Sequence, residues 1–440
     1  MVARSHRADA VSWHACAGTA SPRRPLADPP ALAHGIHIAD HGRPTSPRPR
    51  GSLLFHAPGC PVLSVIAVVL ASFLVIRVVW PLRLPVPVRL LLALAVYGMA
   101  LHHRIVASFA GTMASPEIPA LAIATLGTGF ITLLLTALFV LALDLLTLLL
   151  WALRRKAAVA VLRRPMLRPG AAGVALLLSL YGTWQAMAVP QVRQVEVTIA
   201  GLPAAFDGYR ILQLTDIHAS RLLTGDWVAQ VVAAGNAQHP DLVVITGDLV
   251  DGSTTARADD VRPLADLRAT DGVIAITGNH EYYSQYYDWM QAFRALDMLV
   301  LENSHLQLRR AGAALTIVGV TDPVAVRYLQ PPPDLDVALE GADPSAPVIL
   351  LDHRPTAARA NATRGVALQL SGHTHGGHIV GMDQLVRRAN GGFVSGLYQV
   401  DGMQLYVSNG AGLWPGFASR IGVPSEITVI TLRSVRNQQQ

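Results

Sequence analysis

Five apolar runs in the second half of the chain each end in a short cluster of polar residues. The clusters are Asp216-Ile217-His218, Gly247-Asp248, Gly278-Asn279-His280-Glu281, Asp352-His353-Arg354-Pro355 and Gly372-His373-Thr374-His375-Gly376. The runs before them are short and apolar, as buried strands are. Such runs recur at Tyr209–Leu214, Leu242–Thr246, Val273–Thr277, Leu315–Val320, Val348–Leu351 and Ala367–Leu370, and amphipathic stretches such as Trp227–Gln238 and Asp288–Leu296 lie between some of them. In α/β sheets, functional residues usually follow the carboxyl ends of strands. The clusters therefore predict one site at one edge of a sheet.

The side chains in these clusters are carboxylates, an amide and imidazoles, which suit borderline divalent metals such as Mn, Fe, Zn or Co. Both cysteines, Cys16 and Cys60, precede the first apolar run, and the missing thiolates argue against a structural zinc cage. The set offers more ligands than one metal needs and about the right number for two. Two metals about 3.5–4 Å apart can hold a hydroxide nucleophile and clamp the oxygens of a phosphoryl group.

Each cluster alone has an ordinary explanation. Asp216 can act as a capping residue beside a surface histidine, and Gly247-Asp248 is a common turn. The run Gly372–Gly376 resists such an explanation, because a core does not favour two imidazoles between glycines. The ordered set after five successive strands favours a metal site. Three other residues lack this setting and are interpreted as solvated or locally hydrogen-bonded: His239, His305 and Asp352.

Together the motifs resemble the signature of the calcineurin-like metallophosphoesterase superfamily. The resemblance covers roughly Val195–Leu432 and includes Asp-x-His, Gly-Asp, Gly-Asn-His-Glu, His-x-Pro and Gly-His-Thr-His. The nearer match is the branch with membrane-attached members and the Gly-His-Thr-His-Gly-Gly motif. That branch closes with a segment similar to Val407–Ile427, which contains Arg420. One departure is His378, where relatives commonly have Gln.

The resemblance implies an α/β fold in which two sheets form a sandwich flanked by helices. It also implies two divalent metal ions of the Mn, Fe or Zn type and a metal-bridging hydroxide as the nucleophile. The implied ligands are Asp216, His218 and His375 for the first metal, Asn279, His353 and His373 for the second, and Asp248 as the bridge. His280 matches the family histidine that is not a ligand. Its imidazole would stabilise the transition state or protonate the leaving oxygen.

Charge and hydropathy divide the chain that must hold this site. Residues 1–189 contain 17 Lys and Arg against 5 Asp and Glu, whereas residues 190–440 contain 18 against 24. The pI of about 9.6 therefore belongs to the first part, and the folded part lacks the basic footprint of a nucleic-acid binder. We expect a disordered tail over 1–58, a transmembrane helical region over 59–189 and a calcineurin-like metallophosphoesterase domain over 190–440.

Four apolar stretches precede the metallophosphoesterase domain, in a chain with a mean hydropathy of +0.37. They are Val62–Trp80, Val88–Leu101, Ile118–Leu153 and Ala171–Val189. About 20 apolar residues cross a bilayer as a helix, so we expect three or four transmembrane helices; buried helices of a large soluble core are the alternative. Asp144 is the one acidic residue within these stretches, and we interpret it as interfacial.

Orientation follows from the basic residues in short loops. The loop before the last stretch contains Arg154, Arg155, Lys156, Arg163, Arg164 and Arg168. With that loop in the cytoplasm, the catalytic domain of a multi-pass protein of the inner or plasma membrane lies on the extracytoplasmic side.

The leading hypothesis is a membrane-anchored dimetal phosphoesterase that hydrolyses a phosphodiester. A membrane anchor raises the local concentration of lipid-borne substrates, which favours a lipid-linked one and a place in lipid metabolism. One alternative is a hydrolase like the UDP-2,3-diacylglucosamine pyrophosphatases of lipid A synthesis, which needs a cytoplasmic active site. Another is a metal-binding membrane sensor without turnover. The sequence carries no signal of oligomeric state.

Overall fold

A computed structural model describes residues 61–109, 111–112 and 114–435. The predicted tail over 1–58 and both cysteines lie outside the described residues. Six helices precede the first described strand, and a π-helical segment, Val75–Val79, continues the first of them. The helices are α1 (Pro61–Leu74), α2 (Val86–Ala100), α3 (His102–Phe109), α4 (Ala120–Ala152), α5 (Lys156–Leu162) and α6 (Leu167–Met187).

Only one of these six helices, α4, is by itself long and apolar enough to cross a membrane. Helices α2 and α3 pass the same test only as a pair, and that pair is bent by 61°. The apolar helix Leu63–Val79 is shorter, and α6, with 21 residues, is not apolar enough. Within the described part of the chain, the expectation of three or four transmembrane helices is therefore not confirmed.

Helices α4 and α6 pack against each other and leave apolar side chains exposed on their outer surfaces. Leu145 and Leu148 of α4 and Leu177 of α6 are 57%, 58% and 68% exposed, as the lipid-facing residues of a membrane helix are. Asp144 accepts hydrogen bonds from Arg77 Nε and Nη2 at 2.8 and 2.6 Å and from Arg168 Nη2 at 2.7 Å. This ion-paired group joins the π-helical segment, α4 and α6.

Residues 191–434 form two mixed sheets of six strands each. The first has the order β1-β12-β2-β3-β4-β5 and the second β10-β11-β9-β8-β7-β6. The central strands β2 to β4 run parallel to one another, as do β7, β8, β9 and β11. The strands are β1 (Gln191–Ile199), β2 (Arg210–Leu214), β3 (Leu242–Thr246), β4 (Val273–Ile276), β5 (Met298–Val300), β6 (Ser304–Arg310), β7 (Ala313–Gly319), β8 (Val348–Leu351), β9 (Val366–Ser371), β10 (Gly396–Val400), β11 (Met403–Val407) and β12 (Glu426–Ser434).

Seven helices accompany these strands and cover the sheets. They are α7 (Gly225–Asn236), α8 (Thr254–Val261), α9 (His280–Tyr283), α10 (Tyr286–Ala295), α11 (Leu335–Ala338), α12 (Ala358–Ala362) and α13 (Asp383–Ala389). Helix α7 buries Val228, Val231 and Val232, positions that share one face of a helix. These valines pack with residues of β2 and β3 in one core.

A second core lies between the two sheets. Ile211 and Val244 of the first sheet contact the same cluster as Ile317, Ile349 and Leu368 of the second. Each such side chain contributes about 1.5–3 kcal/mol when it is fully buried. Because β3 is buried on both faces, its sequence is a continuous apolar run and not an alternating one. The sandwich thus fixes the strand ends that bear the polar clusters.

The predicted strands recur in the structure with small changes at their ends. The runs Tyr209–Leu214 and Ala367–Leu370 became β2 and β9, which begin at Arg210 and Val366. The amphipathic stretches expected from Trp227 and Asp288 became α7 and α10. Six strands were missed, namely β1, β5, β6, β10, β11 and β12.

Candidate metal centre

The five polar clusters lie at the carboxyl ends of five central strands. β2, β3 and β4 of the first sheet and β8 and β9 of the second each end at the residues before a cluster. Five of the eight predicted site residues have a positive φ. They are Asp216, His218, Asp248, His373 and His375, with φ of 53°, 49°, 54°, 69° and 48°. This left-handed backbone thus recurs in the loops after β2, β3 and β9, and Asp and His are among the non-glycine residues that adopt it most readily.

The first group of potential ligands consists of Asp216, His218 and His375, whose ligand atoms lie within 4.8 Å of one another. Nε2 of His375 and of His218 lies 3.4 and 3.9 Å from Asp216 Oδ1. Asp216 Oδ2 also accepts hydrogen bonds from Thr215 Oγ1 at 2.8 Å and from the His373 backbone N–H at 3.0 Å. These bonds fix the orientation of the Asp216 carboxylate, and its Oδ1 lies on the side of the two imidazoles.

The second group consists of Asp248, His353 and His373, again within 4.8 Å of one another. His353 Nε2 lies 3.2 Å from Asp248 Oδ2, and His218 Nε2 lies 3.7 Å from the same oxygen. Asp248 therefore lies between the two groups. Burial is the main factor that lowers the pKa of His373 and His375 well below the ordinary value, so both imidazoles are neutral, as metal ligands must be.

Several buried polar atoms of these residues have no hydrogen-bond partner. They are His218 Nε2, Asn279 Oδ1, His353 Nε2 and His375 Nδ1. The Nδ1 atoms of His218 and His353 donate to Asp251 Oδ2 and to the Thr246 carbonyl, at 3.1 and 2.8 Å. Burial lowers the pKa of His353, but the Asp248 charge outweighs it and raises this pKa to about 10. A metal ion would displace that proton, and the second nitrogen of each ring would then present its lone pair to the site. Buried polar atoms are almost always satisfied, so these atoms fit a divalent metal.

Two glycines let the loops approach closely. A Cβ at Gly278 would lie 2.2 Å from Asp248 Oδ1, and one at Gly372 would lie 2.2 Å from Asp216 Oδ2. Both distances are far below van der Waals contact, so any larger residue at these positions would displace a carboxylate of the site.

His280 lies beside the two groups and contacts Asp251. Its Nδ1 donates a short hydrogen bond to Asp251 Oδ1, while the other oxygen of that carboxylate accepts from His218. Burial lowers the pKa of His280, but the charges of Asp251 and Asp248 outweigh it and raise this pKa to about 9. The imidazole is therefore protonated near neutral pH and can donate a proton.

Asp251 is a site residue that the motifs missed. It is fully buried, three residues after Asp248, and one carboxylate orients both His218 and His280. The sequence signal for Asp251 was its position in the same loop, three residues after Asp248, but none of the motifs includes this residue.

Glu281 and Arg420 stabilise the loops of the site through hydrogen bonds to their backbones. The Glu281 carboxylate accepts hydrogen bonds from the backbone N–H groups of Gly278, Asp248 and Leu249, at 2.7, 3.1 and 2.6 Å. Burial and the Asp248 charge raise the pKa of Glu281 to about 7. It thus links the loop after β3 to the loop after β4.

Arg420, only 1% exposed, makes a comparable link on the other side of the site. Its guanidinium donates to the carbonyl oxygens of His375, Asn409 and Gly412, at 3.2, 2.7 and 2.8 Å. Burial lowers its pKa to about 10.

The ring of His378, the departure from the family pattern, lies 4.9 Å from the rings of both His375 and Phe417. Burial and the Arg420 charge lower the pKa of His378 to about 3, so it is neutral.

The three residues set aside at the sequence level lie outside both groups. His239 is exposed, and His305 donates a hydrogen bond to the Ala338 carbonyl at 2.8 Å. Asp352 is not solvated: it is 5% exposed and accepts a hydrogen bond from Asn361 Nδ2 at 3.2 Å. Its Oδ1 also accepts a hydrogen bond from the Arg354 backbone N–H at 3.3 Å, so the expected local bond is present beside the bond from α12.

Comparison with known proteins agrees with this geometry. Residues 209–377 match the family described as calcineurin-like phosphoesterase. An uncharacterized metallophosphoesterase of Helicobacter pylori strain J99 is 35% identical over 57% of this chain and 66% of its own length. A Bos taurus transmembrane protein with metallophosphoesterase domain is 35% identical over 62% of this chain and 64% of its own. This chain thus spans slightly less than two thirds of these relatives. An uncharacterized metallophosphoesterase of Bacillus subtilis strain 168 is 31% identical over 58% of this chain and 90% of its own length.

Proposed function

Because the chain belongs to the calcineurin-like metallophosphoesterases, we propose that it is a membrane-anchored, metal-dependent phosphoesterase with two metal ions. Its reaction is the hydrolysis of a phosphodiester, and its substrate is lipid-linked. The proposed domain boundaries remain 1–58, 59–189 and 190–440.

The metal ligands in this proposal are those of the two groups. Asp216, His218 and His375 would hold one ion, Asn279, His353 and His373 would hold the other, and Asp248 would serve both. When bound, such ions supply a nucleophile at neutral pH and neutralise charge on the phosphoryl oxygens. The support is the set of buried atoms without partners, which includes His218 Nε2 and Asn279 Oδ1.

The chain's own acid in this reaction is His280. Its Nε2 is the free end of a ring whose Nδ1 is fixed by Asp251, so it donates a proton to the leaving oxygen as the phosphorus–oxygen bond breaks. The Asp251 carboxylate keeps the ring oriented and favours its protonated form. A metal sensor without turnover has no use for this pair, which favours the enzyme.

The lipid-linked substrate is supported by one observation: loops of the metal centre pack on the helices of the membrane region. Ile379, four residues after His375, lies in one apolar cluster with Ile131 of α4 and Ala175 of α6. Phe417 and Ile421 pack on the same cluster, and the Arg420 backbone N–H donates to the Gly182 carbonyl at 2.9 Å. The centre is therefore held close to helices that would lie in the bilayer.

The dimensions of α4 fit this arrangement. Its 33 residues extend about 50 Å, whereas the hydrocarbon core of a bilayer is about 30 Å thick. The first half carries the buried residues Ile123 and Ile131, and the second half carries exposed leucines such as Leu145 and Leu148. In our proposal the exposed leucines of the second half face lipid and the first half supports the catalytic domain.

The substrate class is tested with the purified full-length protein in lipid nanodiscs containing added Mn²⁺. We expect hydrolysis of a diacylglycerol phosphodiester at a kcat/KM at least tenfold above that for its water-soluble glycerol counterpart. Equal values for the two substrates would contradict the lipid link. If neither is hydrolysed while the protein binds Mn²⁺, the metal sensor is the better assignment.

The orientation is tested separately with reporters fused to the C-terminus of the full chain. In our proposal α1, the bent pair, α4 and α6 are the spans of a multi-pass protein in the inner or plasma membrane. With the basic residues between α4 and α6 in the cytoplasm, the catalytic domain is extracytoplasmic. A reporter that is active only outside the cytoplasm should then be active. Activity confined to a cytoplasmic reporter would contradict this orientation and favour a hydrolase of the UDP-2,3-diacylglucosamine pyrophosphatase type.

A further inference from the structure

The connection between α3 and α4 reaches the catalytic domain and ends beside His280. Gly111 and Pro116 form an antiparallel bridge, and Thr112 and Ser115 exchange backbone hydrogen bonds at 3.3 and 3.2 Å. The connection is thus a tight turn and not an open loop. It belongs to the helical region, whereas the metal centre belongs to the catalytic domain.

A buried arginine anchors this turn. Both Glu117 carboxylate oxygens accept hydrogen bonds from Arg257 Nη2 at 2.6 Å, and the Arg257 side chain is only 2% exposed. Arg257 Nε donates to the Asp251 carbonyl at 3.2 Å. Asp251 in turn fixes His280. The helical region is therefore joined to the catalytic pair through one charged side chain.

A cavity of about 240 Å³ lies between the turn and the catalytic domain. Thr112, Ala114 and Ser115 line one wall, and Ser253, His280 and Tyr283 line the other. The described lining residues include no Lys or Arg and no Leu, Ile, Val or Phe, while Glu117 and Asp251 contribute carboxylates. The cavity is smaller than the roughly 300–1,000 Å³ of pockets for drug-sized ligands. The described wall residues are mostly small and partly hydroxylated, and the cationic side chain among them, His280, is paired with Asp251.

We propose that this cavity is the subsite for the leaving group, and that it accepts a compact, uncharged, hydroxylated alcohol of about the size of glycerol. This inference rests on the proposed phosphodiesterase function. The oxygen of water forms a bond to phosphorus, the bond from phosphorus to the alcohol oxygen breaks, and His280 donates the proton that this oxygen takes up. A proton released from the water restores His280 or passes to solvent, so the products are a phosphomonoester and the neutral alcohol.

Charge and size carry the choice of leaving group. An alcohol leaves as a neutral molecule, whereas a pyrophosphate releases a phosphate anion, and the cationic side chains nearest the cavity, His280 and Arg257, are already paired with Asp251 and Glu117. An anionic leaving group therefore meets no unpaired cation among the described lining residues that would offset its loss of water. Among the described lining residues, an acyl chain has no Leu, Ile, Val or Phe side chain to contact. The hydroxyl groups of Thr112, Ser115 and Ser253 are instead able to exchange hydrogen bonds with a polyol.

The test compares three lipids that all yield phosphatidic acid, with full-length protein in nanodiscs and added Mn²⁺. Phosphatidylglycerol releases glycerol, phosphatidylmethanol releases methanol, and CDP-diacylglycerol releases a nucleotide phosphate. We expect the wild type to prefer phosphatidylglycerol over CDP-diacylglycerol at least tenfold in kcat/KM. Ala114→Phe, which fills the cavity, should lower kcat/KM at least tenfold for phosphatidylglycerol but less than threefold for phosphatidylmethanol.

The matched control is Ala157→Phe, the same substitution at an exposed position of α5, which should change none of the three values. A preference for CDP-diacylglycerol would overturn the proposal. So would equal losses on all three lipids in Ala114→Phe, because a subsite changes selectivity whereas a distorted fold does not.

Binding without turnover separates this inference from the proposed function. In a Cys16→Ser, Cys60→Ser background, sn-glycerol 3-phosphate with Mn²⁺ should slow maleimide labelling of Ser115→Cys at least threefold, and inorganic phosphate should slow it less. Labelling of Ala157→Cys should not change. Protection without hydrolysis of any lipid would refute the phosphoesterase and retain the subsite. Hydrolysis without protection would refute the subsite.

Discussion

Replacement of His280 by glutamine is expected to lower kcat on a lipid phosphodiester about 10²–10⁴-fold, the range that general acid catalysis contributes. The imidazole is protonated because Asp251 and Asp248 raise its pKa to about 9, and glutamine cannot donate a proton to the leaving oxygen in its place. Metal content, measured by elemental analysis of the purified full-length protein, should remain that of the wild type.

The leaving group provides the control for this variant. A p-nitrophenyl diester releases a phenolate that needs no proton, so we expect His280→Gln to lose at least tenfold less activity on it than on the lipid. Equal losses on both substrates would exclude His280 as the acid and indicate a structural role. His239→Gln, at an exposed histidine, should leave both rates unchanged.

Replacement of Asp248 by asparagine is expected to have the other large effect. Its carboxylate lies 3.2 Å from Nε2 of His353, which belongs to the second ligand group, and 3.7 Å from Nε2 of His218, which belongs to the first. An amide keeps the shape but removes the charge that would contact both ions. We expect the metal content to fall by at least one ion per chain. The kcat/KM should fall at least about 100-fold, since metals contribute several kcal/mol to catalysis.

Metal analysis and kinetics together decide this prediction. Asp226→Asn, at an exposed position in the first turn of α7, serves as the matched control and should retain the wild-type values of both. Asp248→Asn with unchanged metal content would show that this carboxylate contacts no ion. The two variants also distinguish the two roles. His280→Gln should lose activity but keep its metal, whereas Asp248→Asn should lose both activity and metal.

The sequence predicted the parts of this protein that depend on short patterns. The buried strands are apolar runs, and a polar cluster directly follows each of β2, β3, β4, β8 and β9. Order along the chain was therefore enough to bring Asp216 and His375 to one edge although 158 residues separate them. The roles of the candidate ligands stay predictions, which the metal analyses above test.

Long-range pairing could not be predicted in this way. β1 pairs in parallel with β12, and Gln191 lies opposite Glu426, a register that no local pattern specifies. The residues that support the loops of the site could not be predicted from local patterns either. Glu281 acts through the backbone of a neighbouring loop, and Arg257 acts through Glu117, 140 residues earlier in the chain. Such partners become apparent only when the chain is folded.

Hydropathy also could not indicate which parts of the helical region pack on the catalytic domain. The apolar stretch Ala171–Val189 became α6 (Leu167–Met187), and five of its small or polar residues are buried where it meets its neighbours: Ala175, Ser179, Gly182, Thr183 and Ala186. A helix that supports a second domain needs small residues for close approach, and these lower its apolar character. The Arg420 backbone N–H reaches Gly182 for this reason, since a Cβ there would lie 2.4 Å from Ser419 Oγ.

The left-handed backbone of the loops restricts which residues can replace the candidate ligands. Most residues with a side chain pay about 1–2 kcal/mol for this conformation, and Asp, Asn and His are the non-glycine types that adopt it most readily. The same three types supply the oxygen and nitrogen ligands here. A glutamate at position 216 or 248 would keep the carboxylate but would lose the backbone tolerance, and glycine would keep the backbone but lose the ligand. A residue at these positions must therefore meet two separate requirements, one of coordination chemistry and one of backbone conformation, and few amino acids meet both.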